Sequence, residues 1–357
     1  MNRTEMVMEI TSAHGFETIC SEIQSGIQEL YLENTIPWIV CFSGGKDSTA
    51  LLQLIFYALS ALPKERLMKE IHVLSNDTLV ENPAIVKQVD EQLEKIEMQG
   101  KAELYQHDPE LFRVVKVRPI IEDAFWVNLI GRGYPSPNRW FRWCTERLKI
   151  NPTSKYIKSA VTEFGKAIIV LGTRKAESTN RATSMNNYNT DGRLRDHTLS
   201  NARVYVPIAD LSNNEVWAYL LQTPNPWGSD NMDLLALYGN ACSGGECPFV
   251  IETGTQSCGK SRFGCWVCTV VDRDKSMESF VDNGAEWMRE LLNYRNWLYE
   301  IRQQSYQYVP RHLESKVNFG PFLLKTRYEM LNRLLNIQER LSVELITDAE
   351  VEYTRIS

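Results

Sequence analysis

Six consecutive residues, Ser43-Gly44-Gly45-Lys46-Asp47-Ser48, constrain this chain more than any other feature. The apolar run at 36–42 (IPWIVCF) leads into them, and residues 49–59 (TALLQLIFYAL) lead out as a buried helix. Adjacent glycines let the backbone turn tightly between strand and helix. They expose amide groups at a helix N-terminus, where the helix dipole favours an anion. Lys46 adds a point charge, and the Ser43 and Ser48 hydroxyls can bond phosphate oxygens. Asp47 is the odd member, because a carboxylate beside a phosphate needs a bridging Mg²⁺ or serves to support the loop. The spacing is not that of a Walker loop, Gly-x4-Gly-Lys-Ser/Thr.

Further short strands are predicted at 71–75, 103–106 and 167–171, separated by helices over 83–98 and 156–164; another amphipathic helix precedes the loop at 16–30. Strands alternating with helices argue for an α/β fold, a parallel twisted sheet with helices on both faces. Residues 185–203 are polar and read as a loop. A helix through 216–221 follows, with Ser212 or Asn213 as its cap. Beyond 276 the chain reads as helices over 277–306 and 322–341. The expected divisions are an N-terminal helix (1–35), a nucleotide domain (36–235), a cysteine-rich segment (236–275) and an all-helical C-terminal region (276–357).

At 357 residues the chain exceeds one ordinary domain. Hydrophobic residues at 43% and charged residues at 24% exclude disorder and a fibrous repeat. No apolar run is long enough to span a bilayer and the first residues resemble no secretory signal, so a cytoplasmic protein without membrane contact is expected. A net charge of −6 argues against a surface that grips nucleic acid as a whole, though not against a local basic groove. Arg311, Lys316, Lys325, Arg327, Arg333 and Arg340 make the C-terminal region locally basic; solvated helix faces balanced by glutamates explain them equally well.

Of eight cysteines, Cys242, Cys247, Cys258, Cys265 and Cys268 fall within 27 residues. Such clustering reads as metal binding or sulfur chemistry before disulfides. A [4Fe-4S] cluster, a structural zinc and metal-free redox thiols all remain open. Cys20 and Cys41 lie on apolar elements and read as core residues.

The loop at 43–48 resembles the SGGxDS loop of the ATP pyrophosphatase, or PP-loop, superfamily, whose members bind ATP there and cleave between its α- and β-phosphates. Three more segments resemble the phosphoadenylylsulfate reductase-like branch. Asn76-Asp77-Thr78 with Glu81 matches its Asp-Thr-Gly…Glu segment loosely. Gly172-Thr173-Arg174-Lys175-Ala176-Glu177-Ser178 with Arg181 matches its Gly-x-Arg-x-x-Glu-Ser-x-x-Arg element, and residues 206–210 (VPIAD) with 215–220 (EVWAYL) match a third. The resemblance implies that Asp77, Gly172, Arg174 and Glu177 join Ser43 to Ser48 around the nucleotide, with Lys46, Asp47, Arg174 and Arg181 as catalytic residues.

Cys144, in the segment 143–152 (WCTERLKINP), resembles the cysteine of the cluster-containing adenylylsulfate reductases, and Gly264-Cys265-Trp266-Val267-Cys268-Thr269 resembles their later Gly-Cys-x-x-Cys-Thr. Trp143 stands where those enzymes have a second cysteine, so a fourth ligand must come from Cys247 or Cys258. Four of Cys144, Cys247, Cys258, Cys265 and Cys268 are then the implied ligands. The cysteine-rich stretch 241–279 as a whole resembles the DNA phosphorothioation sulfurtransferases of the DndC and SspD type, over roughly residues 35–330. That resemblance implies ATP, Mg²⁺ and a [4Fe-4S] cluster as cofactors. It also implies DNA as substrate, and as partners a cysteine desulfurase donating sulfur and other phosphorothioation proteins. Sulfate-ester reductases and tRNA thiolases are the rival classes; the former are disfavoured by the lack of a cysteine after Cys268. A non-catalytic scaffold is the rival from another class.

Overall fold

The computed structural model describes residues 15–177, 193–241, 264–313 and 316–356. Helix α1 (Gly15–Glu33) precedes strand β1 (Trp38–Cys41), which runs into the 43–48 loop and helix α2 (Lys46–Ser60). Then come β2 (Ile71–Asn76), α3 (Pro83–Gln99), β3 (Phe112–Val117), α4 (Asn151–Phe164), β4 (Ala167–Val170), β5 (Leu194–Asp196), β6 (Ala202–Tyr205), α5 (Asn213–Gln222) and α6 (Asn231–Asn240). The six strands form one sheet in the order β3-β2-β1-β4-β6-β5, parallel throughout except for the edge strand β5.

Period-two alternation sends successive side chains to opposite faces. Trp38 and Val40 of β1 and Ile168 and Val170 of β4 enter one core with α1, α2, α5 and α6; Ile39, Ala167 and Ile169 enter another under α4. The expected α/β sheet with helices on both faces is therefore the one observed. Its two halves diverge between β1 and β4, and in open α/β sheets such a switch point is where ligands bind, outside the carboxyl ends of the strands.

Three predicted elements need correction. Residues 103–106 are not a strand: a wide helical turn occupies Gly100–Leu104 and the strand is β3, whose Arg113 and Lys116 mask a half-buried edge position. The polar stretch 185–203 holds β5 and the start of β6, its first part (185–192) lying outside the described residues. The helix expected over 277–306 is two, α7 (Lys275–Asp282) and α8 (Arg289–Arg302), parted at Gly284, whose φ of +105° suits only glycine. The C-terminal region is mostly helical, completed by α9 (Leu324–Leu341) and α10 (Asp348–Ile356), but not all-helical as expected, because β7 (Tyr308–Leu313) and β8 (Lys316–Phe322) form a hairpin within it. It shares a third core with residues 125–148 and with Trp266 and Val267 of the cysteine-rich segment.

Candidate active site at the carboxyl edge of the sheet

Gly44 adopts φ +70°, and a Cβ there would lie 2.5 Å from Val89 Cγ2, so the turn after β1 tolerates no side chain. Gly45 caps α2 with extended backbone. Ser48 Oγ locks the loop by accepting from the Ser43 amide (3.2 Å) and donating to the Gly45 carbonyl (2.9 Å). The amide of Lys46 donates to Tyr238 Oη of α6 (3.3 Å), and the Lys46 ammonium sits 5.5 Å from the same ring.

Asp47 decides how the two predicted cations are used. Its carboxylate takes Lys46 Nζ at 3.1 Å on one oxygen and Arg174 Nε at 2.6 Å on the other. Arg174, only 2% exposed, also donates to the Leu211 carbonyl (3.1 Å). These two ion pairs let Asp47 support the loop. The turn carrying Arg174 passes so close to α2 that a Cβ on Gly172 would stand 2.8 Å from the Asp47 carbonyl oxygen. The loop after β1 and the loop after β4 are thus one unit. Two buried polar atoms beside it lack a hydrogen-bond partner among the described residues, Thr173 Oγ1 after β4 and Asn76 Oδ1 at the end of β2. Orphaned polar groups at strand ends are what a bound nucleotide would satisfy. The Glu177 side chain and Arg181 lie outside the described residues.

Asp77 follows β2 and is ion-paired with Arg118 (2.9 Å) and Lys116 (3.3 Å) of the neighbouring strand end. Burial alone would raise its pKa, but the Leu79 amide and these two cations outweigh it and hold the carboxyl below its ordinary value. Arg118 and Lys116 carry no local motif and were not singled out by sequence; nor was Tyr238, which meets the loop only through tertiary packing.

The cysteines reach the same edge through residues 78–81. Glu81 bridges to Cys265 across two antiparallel segments, Trp266 N donates to the Val80 carbonyl (3.0 Å), and Thr78 Oγ1 lies 3.5 Å from Cys265 Sγ. Cys268 folds back onto the Cys265 carbonyl (3.1 Å). Burial pushes the Cys265 thiol up to about 11; burial and then nearby Cys268 raise Cys144. Lys149 faces Cys265, Glu81 and Cys144, which hold its ammonium charged against the opposing effect of packing. Of the predicted ligands, Cys265 and Cys268 share one turn and Cys144 feels the charge of Cys268. They do not form a closed metal-binding group among the described residues, and Cys242, Cys247 and Cys258 lie outside them. As a donor set, three thiols with a CxxC turn fit an iron–sulfur cluster completed by one more cysteine.

The carbonyls behind this turn converge on arginines that sequence did not flag. Arg295, fully buried on α8, donates to the carbonyls of Cys268 (2.8 Å), Asp272 (2.9 Å) and Val271. Arg302 donates to those of Thr269 (2.5 Å) and Pro137 (2.8 Å). The C-terminal basic residues are engaged in the same quiet way: Arg333 pairs with Glu329, Arg340 with Glu290, and Arg327 with the Ile130 carbonyl. The side chains of Arg311 and Lys316 lie outside the described ones. Among the described residues no helix is long and apolar enough to cross a membrane.

A phosphate-cradling loop at the switch point of a doubly covered sheet, fastened to a cysteine turn, defines a nucleotide-binding α/β protein of sulfur chemistry. The family model of the phosphoadenosine phosphosulfate reductase domain matches residues 37–271, and the chain belongs to that family. An uncharacterized protein of Methanocaldococcus jannaschii is 30% identical over 272 residues, 75% of this chain; the chain spans 44% of that relative's length. Among solved structures, phosphoadenylyl-sulfate reductase from Candida auris in its phosphate complex aligns over 57% of this chain and 81% of its own, at 13% identity and TM-score 0.35. The U34-tRNA thiolase NcsA from Methanococcus maripaludis with its [4Fe-4S] cluster aligns over 85% of this chain and 84% of its own, at 13% identity and TM-score 0.37. Likenesses this distant say nothing of what the chain acts on.

Proposed function

We propose that the chain transfers sulfur to the DNA backbone at the expense of ATP. A non-bridging oxygen of a DNA phosphate attacks the α-phosphorus of ATP; the bond to the β-phosphate breaks, and pyrophosphate leaves. Hydrosulfide, released from the persulfide of a cysteine desulfurase partner by a thiol reductant that is oxidised to its disulfide, then attacks the adenylylated DNA phosphorus and AMP departs with the activated oxygen. Mg²⁺ arrives with ATP. The amide of Gly45, the N-terminus of α2 and the Lys46 ammonium stabilise charge on the leaving pyrophosphate. The Thr173 hydroxyl is a spare donor for a phosphate oxygen. Cys144, Cys265 and Cys268, with Cys247 or Cys258, would hold a [4Fe-4S] cluster, whose chemistry is to bind and present sulfur.

The observation that supports this reading is the fastening of Cys265 and Trp266 onto residues 78–81, just after β2 on the carboxyl side of the sheet. An adenylylating site and a sulfur site are then neighbours on one edge. The test follows pyrophosphate release from ATP by anaerobically purified protein, with and without DNA and its partner proteins. Release that Lys46→Ala lowers at least about 100-fold supports the reading, since one electrostatic donor carries about that much. Release unaffected by Lys46→Ala, or sulfite formed from phosphoadenylylsulfate without ATP, rejects it in favour of reduction.

A further inference from the structure

Residues 138–142 (NRWFR) immediately precede Cys144 and contrast with everything around them. Trp143 is buried, stacked on Phe125 at 5.3 Å, with its indole N–H donating to the Pro135 carbonyl (3.0 Å). Trp140, three residues earlier, is 97% exposed, and Phe141 is 43% exposed. Single exposed aromatics are common on surfaces. This pair is different, because the loop is built to present it. Asn138 Oδ1 accepts from both the Trp140 amide (2.8 Å) and the Phe141 amide (2.9 Å), while the Asn138 amide closes the turn on the Phe141 carbonyl (3.1 Å). Arg139 and Arg142 flank the rings, both exposed and neither in an ion pair among the described residues. Most other arginines near the site are engaged: Arg118 with Asp77, Arg147 with Asp123, Arg174 with Asp47.

Exposed aromatic faces interleaved with unpaired cations suit unpaired bases and the phosphates between them, since every base offers a face to stack on. We propose that Trp140 and Phe141 form a stacking platform for a single-stranded stretch of nucleic acid, with Arg139 and Arg142 holding its backbone beside the cysteine site. This deepens the sulfur-transfer reading and rests on it: the acceptor strand is held open next to Cys144. An acidic chain thereby gains a local grip without a basic surface.

The test measures binding of fluorescein-labelled oligo-dT, oligo-rU and a mixed-sequence duplex to the complete protein by fluorescence anisotropy across a salt series. Wild type should bind oligo-dT more tightly than duplex. Trp140→Ala should weaken that binding about 5- to 150-fold, the range one stacked base supplies, and Trp140→Phe should retain most of it. Arg139→Gln with Arg142→Gln should flatten the salt slope by roughly 1.4, about 0.7 for each phosphate contact on a single strand. An unchanged thermal midpoint in Trp140→Ala excludes misfolding. A wild type that binds neither single strand, or a Trp140→Ala protein that binds as wild type does, overturns the platform. So does loss of a partner protein from Trp140→Ala with strand affinity intact, which makes the loop a protein-docking surface. Preference for oligo-rU with the same Trp140 dependence keeps the platform and removes DNA as the acceptor.

Discussion

Asp47 spends both oxygens on cations, and this sets what each neighbour can do. Lys46 is held close to the loop instead of ranging through solvent, while Arg174, which the family resemblance assigned to the nucleotide and to catalysis, is tied to Asp47 and the Leu211 carbonyl. Replacing Arg174 by Met leaves Asp47 with one partner and the Leu211 carbonyl without this donor. Breaking a buried pair from one side costs about 3–5 kcal/mol. The urea midpoint should fall accordingly, and a midpoint equal to wild type would remove the structural role. At this scale the sequence was read well where the backbone itself makes the site. Gly44 and Gly172 are required by steric contact; the order Ser-Gly-Gly-Lys-Asp-Ser reveals the first and the Gly-x-Arg-x-x-Glu-Ser element the second. Tyr238 and Lys116 were hidden because nothing local distinguishes them from core or surface residues; only packing brings Tyr238 to the loop and Lys116 to Asp77.

Between elements, two buried cations do the joining. Lys69, 2% exposed, lies within about 5 Å of the Tyr31 and Trp38 rings and donates to the Leu30 carbonyl, clasping α1 to the sheet. Burial pushes its pKa down to about 8 from an ordinary 10.5, with Glu33 opposing. Between those pH values the unfolded chain binds more protons than the folded one, so this residue makes stability rise with pH there. Comparing wild type with Lys69→Met by chemical denaturation at pH 7 to 10.5 should show that rise only in wild type. Arg295 does for the cysteine turn what Lys69 does for α1. Arg295→Met leaves the carbonyls of Cys268, Val271 and Asp272 short of donors, at about 1–3 kcal/mol for each buried group left unmade. Accelerated proteolysis near 264–275 is the expected result; wild-type resistance would show that other donors suffice. Strand β3 was misplaced for a related reason: its Arg113 and Lys116 serve ion pairs at the sheet edge, so its apolar content understates it.

The whole molecule consists of a sheet with two covered faces and a C-terminal core shared with residues 125–148 and the cysteine turn. The sheet was legible from alternating apolar runs; the shared core was not, because it joins segments far apart in sequence. If the predicted ligands bind a cluster, Cys144→Ser, Cys265→Ser and Cys268→Ser should each lower iron and acid-labile sulfide in anaerobically purified protein. Cys20→Ser and Cys41→Ser should not, since these two lie on α1 and β1, packed against the cores on either face of the sheet. Zinc found in place of iron would revise the cofactor. The strand order has one more consequence, for the chain as it is made. Trp38 of β1 pairs with Ile71 on one side and with Ile168 on the other. At about 5–20 residues per second, the second partner emerges from the ribosome roughly 6–26 s after the first strand, about 130 residues later. Throughout that interval β1, an apolar strand destined for the middle of the sheet, has an open edge, which is a template for unwanted pairing. Nascent chains of this protein should therefore depend on holding chaperones until β4 is synthesised, and slowing translation between β2 and β4 should lower the soluble yield.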